Sequence, residues 1–551
     1  MKRTLSILAL TSAALSTPAA FAASVSDFNH IVVIYQENHS FDNLFGLWGS
    51  VGGTPVEGLP AADEAHTKQV RSDGTTSYSC LLQNDANLTS PSPLATTCTD
   101  TTGASFESHF ENAPFKIDSF IATTDTTCPN GVLKGSGLPG GCTRDLMHRY
   151  YSEQYQIHGG KQDRYVTGSD AAGLSMGYFD STKLPLYKYL HLPTAPNYVI
   201  ADHFFQAAFG GSFLNHQWLI AAKTPSFYNA VNDGGANDLH SVVDENGMPT
   251  STPLYASPLG SSAIDNALTA SCKPPAGRPA TPASVVCGNY AINTIQPSYQ
   301  PYSPSSSPAK RLPPLAHATI GDLLTAQGVD WAWYSGGWSN AAGIKNGAGW
   351  TNGAGPNCSD ANALPNATFP YCPDKLFQFH HQPFNYFATY APGRLERKLH
   401  LRDEAEFYTA ARRGVLKPVS FIKPLGAENE HPGYTDERDG SMHVAHLIDA
   451  VLDGPNADDT LIIVTYDEFG GQWDHVPPPG QSRAGVHDGW GPGTRIPAVL
   501  ISKKFTASGV DHADYDTTSI LRLIEMRFGL PSLALRDSRV SALVKALKIG
   551  R

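Results

Sequence analysis

Two acidic segments of the chain each follow an apolar run of the kind that forms a buried strand. The first, HIVVIYQEN, ends in Glu37 and Asn38, and the second, LIIVTYDE, ends in Asp467 and Glu468. Short continuous apolar runs are typical of parallel strands covered on both faces, and ligands of such sheets bind beyond the carboxyl ends of the strands. A polar strand end would explain either segment alone, but the pair predicts a site where two strand ends meet.

The four side chains at these strand ends share one chemical property, since their carboxylate and amide groups offer oxygen as the ligand atom. Neighbouring carboxylates repel each other unless a cation neutralises them. Oxygen ligands suit a hard divalent cation, and the set lacks the cysteine and histidine that are typical of structural zinc sites. We therefore predict one divalent metal ion at Glu37, Asn38, Asp467 and Glu468.

A candidate nucleophile, Ser175, lies in the sequence GLSMG, which has the G-x-S-x-G pattern of serine esterases. The preceding residues, TGSDAA, are small and polar. The strained turn of an esterase should instead follow an apolar strand. A turn that opens a helix, where backbone N–H groups can receive an anion, is one alternative. An ordinary glycine–serine turn is another.

With a metal ion at the acidic strand ends, Ser175 could carry out phosphoryl transfer. A serine hydroxyl is a weak nucleophile until a base or a metal lowers its pKa, and a divalent cation also neutralises charge on a phosphoryl oxygen. Ser175 would attack phosphorus and form a phosphoserine, which water would hydrolyse. Histidines would donate hydrogen bonds to the remaining oxygens, more strongly when protonated. Because carboxylates ionise above about pH 4 and histidines charge below about pH 6.5, the predicted pH optimum lies between these limits.

The composition indicates a large exported α/β protein. The chain has 551 residues, of which 41% are hydrophobic and 16% charged, and its net charge of −11 argues against nucleic-acid binding. Residues 1–23 have the basic start, apolar middle and small-residue end of a secretory signal, which predicts a periplasmic or secreted protein. No later apolar run approaches the length of a membrane span.

Alternating strand and helix patterns predict one α/β domain over residues 24–551, with a mainly parallel sheet covered on both faces. Polar or Pro- and Ser-rich stretches predict insertions near residues 49–141 and 232–314. A helix is predicted over residues 401–413. His443 and His446, three residues apart in another predicted helix, have no evident acidic partner, so a surface or packing role is favoured over a metal site. His216 could line the pocket, but a structural role is favoured for it.

The eight cysteines fall into neighbouring pairs within loop-like segments rich in Gly, Pro, Ser and Thr. Local bridging within each pair is the simplest arrangement, although sequence does not determine connectivity. Such bridges would staple loops and agree with export to an oxidising compartment, whereas a zinc site would need closer C-x-x-C spacing. The pairs are Cys80/Cys98, Cys128/Cys142, Cys272/Cys287 and Cys358/Cys372.

Several ordered motifs resemble those of a bacterial phosphoesterase family of secreted acid phosphatases and phospholipases C. The resemblance runs from about residue 29 to residue 530, with the loops unmatched. It rests on ENHSFD at Glu37, SMGY at Ser175, YDEFGG at Tyr466 and DHVPP at Asp474, with GTRIPAVLIS and DTTSILRLIEMRFGL nearer the C-terminus. The family is similar to the alkaline-phosphatase superfamily, which implies a three-layer α/β/α sandwich.

The resemblance also implies roles for individual residues. Ser175 would join the four acidic and amide side chains as a metal ligand. His148, in DLMHRYY, matches a phosphate-contacting histidine, and His431, in EHP, matches a further active-site histidine. His380 and His381, in FHHQPF, resemble a pair seen in the acid-phosphatase branch.

The histidine pair favours a metal-dependent acid phosphatase that hydrolyses small-molecule phosphate monoesters. The alternative is a phospholipase C, which would apply the same chemistry to a diester and would need an apolar cleft for a lipid. A metal-free serine esterase that uses the G-x-S-x-G segment is a third interpretation.

Overall fold

The computed structural model has one large mixed sheet at its centre. The predicted signal segment 1–23, most of the predicted insertion 232–314, and the pairs Cys128/Cys142 and Cys272/Cys287 lie outside the described residues. The described residues are 25–71, 73–81, 98–99, 105–106, 108–120, 143, 145–169, 171–226, 255–257, 261–262, 290–292, 296–308 and 311–551.

The central sheet has eight strands. In chain order they are β1 (His30–Gln36), β2 (Tyr198–Ala201), β3 (Trp331–Ser335), β4 (Leu401–Asp403), β5 (Val419–Lys423), β6 (Thr460–Tyr466), β7 (Ala498–Ile501) and β8 (Gly509–Asp511). Their order across the sheet is β4-β3-β5-β1-β6-β7-β2-β8. Only β7 runs antiparallel to its neighbours, β6 and β2, which confirms the predicted mainly parallel sheet.

The described helices surround this sheet. They are α1 (Phe41–Leu44), α2 (Glu64–Thr67), α3 (Tyr150–Ile157), α4 (Pro185–Leu190), α5 (Ser212–Ala221), α6 (Ile320–Ala326), α7 (Trp338–Ala342), α8 (Leu395–His400), α9 (Glu404–Arg413), α10 (Glu437–Leu452), α11 (Thr518–Phe528), α12 (Leu535–Arg539) and α13 (Val544–Ile549). Among the helices of the described ranges, none combines the length and apolarity that crossing a membrane requires.

Alternate residues of each strand point to opposite faces of the sheet, and this alternation separates two layers of helices. Tyr35 of β1 packs against His216 of α5, with ring centroids 5.0 Å apart. The next residue, Gln36, donates to the carbonyl of Gly440 on α10, on the other face. The predicted three-layer α/β/α arrangement is therefore confirmed.

The apolar runs of β1 and β6 are explained by their central position. All seven residues of β6 are buried, and the side chains of Ile31 to Ile34 in β1 are fully shielded from solvent. Burial of a large aliphatic side chain contributes roughly 1.5–3 kcal/mol, so these runs favour strands covered on both faces. The polar residues that follow the runs mark the carboxyl edge of the sheet.

The segment 401–413 differs from its prediction as a single helix. Leu401–Asp403 forms the edge strand β4, which pairs with β3, and the helix α9 begins at Glu404. The Asp403 side chain accepts a hydrogen bond from the backbone N–H of Ala405 at 3.0 Å and so caps α9. Pairing with β3 is a long-range contact, which a local helical pattern does not reveal.

Two of the four predicted local disulfides lie in the described residues, and both are present. They are Cys80–Cys98 and Cys358–Cys372. Each closes a short loop, in agreement with the prediction that the bridges staple loops rather than cross the core.

His443 on α10 has the acidic partners that the sequence did not reveal. Its Nε2 lies 2.7 Å from Oε1 of Glu404 at the start of α9, and its Nδ1 lies 3.7 Å from Oε1 of Glu428. Burial disfavours the charged imidazolium, but the two carboxylates outweigh burial and raise the pKa of His443 to about 9. The ion pair therefore ties α10 to α9.

We expect this ion pair to make stability depend on pH. Because histidine has a pKa of about 6.5 when unfolded, the contribution is complete below that pH and is lost as pH rises through 9. His443→Gln should lower the free energy of unfolding by roughly 2–3 kcal/mol at pH 6 and by much less at pH 10. Urea titrations at the two pH values measure this difference. His446→Gln, at an exposed position of the same helix, is the control. Equal losses at both pH values would contradict the ion pair.

Candidate active site

The register of β1 with β6 brings the two acidic segments together. Gln36 is paired with Tyr466 across the two parallel strands, so the chain leaves both strands at the same level. The backbone N–H of Asn38 donates to Oδ1 of Asp467 at 3.3 Å. Glu37, Asn38, Asp467 and Glu468 are all fully buried. The structure thus brings together the four residues that the sequence singles out.

A tight backbone contact closes this junction. Asn38 has a positive φ of 55°, a left-handed conformation that asparagine tolerates better than most residues. Gly470, which follows the acidic pair of β6, has φ +64°, and a Cβ there would lie 2.4 Å from the carbonyl oxygen of Asn38. Glycine at this position therefore lets the two turns pack directly against each other.

The hydroxyl group among these carboxylates belongs to Ser212. Its Oγ lies 3.1 Å from Oε2 of Glu37 and 3.4 Å from Oε1 of Glu468. Ser212 is the first residue of α5 and is 4% exposed. Its sequence context, FGGSF after β2, is a glycine-rich turn that opens a helix, which is the signal that could have identified it.

Ser175 lies elsewhere, and its predicted convergence with the acidic strand ends is not observed. It sits in a 3₁₀ turn over Gly173–Met176, where its Oγ donates to the carbonyl of Ala172 at 2.8 Å. Its own carbonyl accepts from the N–H of Trp473 at 2.9 Å. Within the described residues, its hydroxyl contacts neither a histidine nor a carboxylate. The serine–histidine hydrogen bond that a serine esterase needs is therefore not seen at Ser175.

Two of the predicted histidines flank Asn38. His431 Nε2 lies 3.1 Å from Asn38 Nδ2, and His148 Nε2 lies 3.5 Å from the same atom and 3.4 Å from Glu468 Oε1. The Nδ1 atoms of His148 and His431 contact the carbonyl oxygens of Leu146 and Pro432 and can donate to them. Their Nε2 atoms can then accept from the Asn38 amide, which leaves Asn38 Oδ1 available.

The predicted histidine pair lies on the Glu37 side of the site. His381 Nε2 is 3.2 Å from Glu37 Oε1, and the His380 and His381 rings contact each other edge to face. His216, which the sequence interpretation treated as structural, stacks on His381 with ring centroids 4.9 Å apart. Its Nδ1 lies 2.8 Å from the carbonyl of Ser212, one helical turn earlier on α5.

Lys423 is a buried cation that the sequence interpretation missed. Its Nζ forms an ion pair with Glu37 Oε1 and donates to the carbonyl of Gln36 at 3.3 Å. It lies at the end of β5, which is paired with β1 on the side opposite β6. Only the strand order places Lys423 beside Glu37, so no local pattern could have identified it.

Burial sets the electrostatics of the site. Burial and the charge of Asp467 raise the pKa of Glu37, against the opposing effect of Lys423, and burial raises the pKa of Asp467 and of Glu468. Burial also lowers the pKa of His381 and His431 well below the ordinary value. Neutral imidazoles are therefore favoured at His381 and His431, which argues against the predicted protonation of these two histidines.

The donor set fits a divalent cation. Asn38 Oδ1 and Asp467 Oδ2 are buried and have no hydrogen-bond partner, and a buried acceptor left without one costs about 1–3 kcal/mol. With Glu37 and Glu468 they supply the oxygen ligands that hard cations prefer. One lysine leaves three neighbouring carboxylates incompletely neutralised. These residues could accommodate a metal ion beside Ser212.

Curated relatives of the chain carry phospholipase names. "Phospholipase C B" of Mycobacterium tuberculosis is 31% identical over 145 residues, which cover 23% of this chain and 28% of that protein. "Non-specific phospholipase C6" of Arabidopsis thaliana is 28% identical over 154 residues, covering 23% and 29%. "Non-hemolytic phospholipase C" of Burkholderia pseudomallei is 30% identical over 138 residues, covering 21% and 20%. Each alignment spans less than a third of the relative.

Solved structures show only distant similarity. A protein in the alkaline phosphatase superfamily from Vibrio parahaemolyticus matches with a TM-score of 0.23 and 15% identity, covering 44% of this chain and 56% of that one. A putative sulfatase from Bacteroides thetaiotaomicron has a TM-score of 0.23 and 12% identity, covering 64% and 74%. Similarity at this level supports no inference about activity.

The match to a protein family is far more extensive. The sequence profile of the Phosphoesterase family matches residues 28–531, which include both acidic strand ends, Ser212 and the four histidines singled out in the sequence. This confirms the resemblance seen in the motifs. The chain therefore belongs to the Phosphoesterase family.

Proposed function

We propose that the protein is an exported, metal-dependent phosphatase that hydrolyses phosphate monoesters with Ser212 as its nucleophile. Family membership supports hydrolysis of a phosphoric ester. The observation that carries the proposal is the position of Ser212 Oγ, 3.1 Å from Glu37 in a buried cluster of carboxylates. The predicted signal segment and the two loop disulfides support export.

The residues around Ser212 divide the work of phosphoryl transfer. Glu37, Asn38, Asp467 and Glu468 would hold a divalent cation, which when bound lowers the pKa of the serine hydroxyl and neutralises phosphoryl charge. Ser212 Oγ forms a bond to phosphorus while the bond from phosphorus to the leaving oxygen breaks. Glu37 Oε2, 3.1 Å from Ser212 Oγ, can accept the hydroxyl proton. Water then hydrolyses the phosphoserine and releases phosphate.

The start of α5 and the histidines complete the site. Ser212 begins α5, so the unpaired backbone N–H groups and the positive end of the helix dipole favour an anion beside it. His148 and His431 converge on Asn38, and His148 has 19% of its side chain exposed, so it lies toward the open side of the site. These histidines would contact the phosphate oxygens and the leaving group.

Two observations favour a monoester over a lipid diester. The carboxylates, Ser212 and Lys423 are buried, so the reacting phosphorus must reach below the protein surface. The His380–His381 pair, which resembles the acid-phosphatase branch, lies against Glu37. Phospholipase C is the second candidate, because the curated relatives bear that name.

Substitution of the two serines tests the nucleophile. Ser212→Ala should lower kcat by at least about 10³-fold, because the attacking oxygen is lost. Ser175→Ala removes a hydroxyl that bonds only the Ala172 carbonyl and should keep kcat within a few-fold of wild type. Phosphate release from p-nitrophenyl phosphate measures both. Thermal unfolding shows whether each variant is folded. Substantial turnover by a folded Ser212→Ala protein would contradict the proposal.

Metal removal tests the cofactor. Chelation should abolish turnover and lower Tm by several degrees, because among the described residues Lys423 is then the one lysine or arginine left to neutralise three buried carboxylates. Adding back divalent cations one at a time should restore both quantities. Asp467→Asn should bind the restoring cation more weakly. Unchanged Tm and activity after exhaustive chelation would contradict a metal at this site.

Substrate comparison separates the candidate functions. We expect kcat/KM for a phosphate monoester to exceed that for a phosphorylcholine diester by at least about tenfold, because the His380–His381 pair resembles the acid-phosphatase branch. Both activities should be lost in Ser212→Ala. Preference for the diester would assign the protein to the phospholipases C. Hydrolysis of carboxylic esters after chelation would instead support the esterase interpretation.

A further inference from the structure

We propose that Glu153, Gln206 and Asn215 are positioning residues that hold Ser212 at a set distance from the acidic end of β6. The inference rests on the proposed role of Ser212. The segment that they hold is Gln206–Gly211, which we term the approach loop because it leads directly into Ser212.

The approach loop cannot hold itself in place. Its last residue, Gly211, is the N-cap of α5 and has no side chain to accept a hydrogen bond from the helix. Gly210 has φ +91°, and a Cβ there would lie 2.6 Å from the backbone nitrogen of Tyr150, so the loop passes directly over the start of α3. The conformation of two consecutive glycines must therefore be set by surrounding groups.

Glu153 on α3 holds the loop from outside. Its side chain is fully buried, and its carboxylate accepts a hydrogen bond from the backbone N–H of Gly210, two residues before Ser212. It also accepts from Thr494 through both N–H and Oγ1, at 2.7 and 2.8 Å. Glu153 thus fastens the approach loop to the segment that precedes β7.

Asn215 holds the loop from within α5. Its Oδ1 accepts from the N–H of Ala208 at 3.0 Å, and its Nδ2 lies 3.0 and 3.1 Å from the carbonyl oxygens of Ala208 and Gly210. The helix that begins at Ser212 therefore binds the loop that leads into it. This arrangement fixes the direction from which the chain reaches Ser212.

Gln206 connects the loop to the acidic strand end. Its Nε2 lies 2.9 Å from Glu153 Oε2 and 2.8 Å from the carbonyl of Ala208. Its Oε1 accepts from the N–H of Phe469 at 2.9 Å, and Phe469 directly follows Glu468. One buried side chain therefore spans the gap between the approach loop and the turn that carries Asp467 and Glu468.

Loss of these contacts to the approach loop should affect the chemical step more than substrate binding. Phosphate would be held mainly by the metal site and by histidines on other segments, with a smaller share from the start of α5, so ground-state binding depends on the approach loop less than the attack by Ser212 does. Attack by Ser212 Oγ requires its alignment with phosphorus, and small misplacements of a reacting group reduce rate strongly. Loosening the loop should therefore lower kcat and leave KM nearly unchanged.

The test compares two buried glutamines of similar environment. Gln206→Met removes the polar bridge at nearly constant volume and should lower kcat by about 30- to 100-fold, with KM within threefold of wild type. Gln69, also fully buried, accepts from Tyr165 N–H and donates to the Gln162 carbonyl away from Ser212. Gln69→Met should destabilise the fold comparably but keep kcat within threefold.

Two further readouts separate positioning from general stability. Orthovanadate resembles the transition state, so its inhibition constant should rise in Gln206→Met by about the factor by which kcat falls. The inhibition constant of inorganic phosphate should stay nearly constant. Glu153→Gln, which keeps an acceptor oxygen, should retain more kcat than Glu153→Leu. Asn215→Asp keeps the acceptor for Ala208 N–H but loses the donor to the carbonyls of Ala208 and Gly210, so it should show the same selective loss of kcat. It replaces Gln206→Met in the test if that variant does not fold.

The outcomes distinguish the two proposals. If Ser212→Ala keeps its activity, the nucleophile assignment fails. If Ser212→Ala is inactive but folded Gln206→Met or Asn215→Asp has wild-type kcat, only the positioning role fails. Equal changes in kcat for Gln206→Met and Gln69→Met would likewise overturn it, because the effect would then follow stability alone.

Discussion

The structure of the site depends on the confinement of three buried carboxylates next to one another. Parallel pairing of β1 with β6 places Glu37 beside Asp467, and Glu468 follows directly. Buried charges of one sign repel strongly and raise each other's pKa, so such a cluster stays ionised only with cations nearby. Lys423 supplies one positive charge from the adjacent strand, and the buried histidines are too weakly basic to supply more. A divalent ion, as proposed above, would meet the remaining requirement.

The sheet and the loops contribute different parts of the chemistry. Three adjacent strands, β5, β1 and β6, deliver the charged groups at one edge, where strand spacing sets their separation. The hydroxyl group comes from a helix start, which a glycine-rich loop carries to the same point. Rigid strands suit the groups whose charges must stay in place. A glycine-rich loop braced by buried side chains can bring the proposed nucleophile, Ser212, close to them, because glycine has no side chain to obstruct the approach.

Some residues with catalytic chemistry stabilise the surrounding structure instead. The motifs ENHSFD and DHVPP are joined by Arg495, a fully buried side chain that contacts Asp474 at 3.0 Å and Asp42 at 3.1 Å. His475 lies 2.5 Å from the second oxygen of Asp42. In this network, both carboxylate oxygens of Asp42 and of Asp474 have hydrogen-bond or ion-pair partners. We therefore interpret the cluster as a structural ion network rather than as a second metal site. Ser175, tied to Ala172 and Trp473, has a similar supporting position.

The sequence alone determined the parallel α/β sheet, the acidic strand ends and the family, because each is encoded in a continuous pattern: an apolar run, its polar end, or an ordered motif. It indicated His148, His380, His381 and His431 through local motifs, although their roles stay predictions. Strand order and loop path are long-range properties, and they alone decided that Lys423 and His216 join Glu37 and that Ser212, rather than Ser175, lies among the carboxylates. Two serines in glycine-rich turns look alike locally, and only tertiary packing distinguishes the one that faces buried charge.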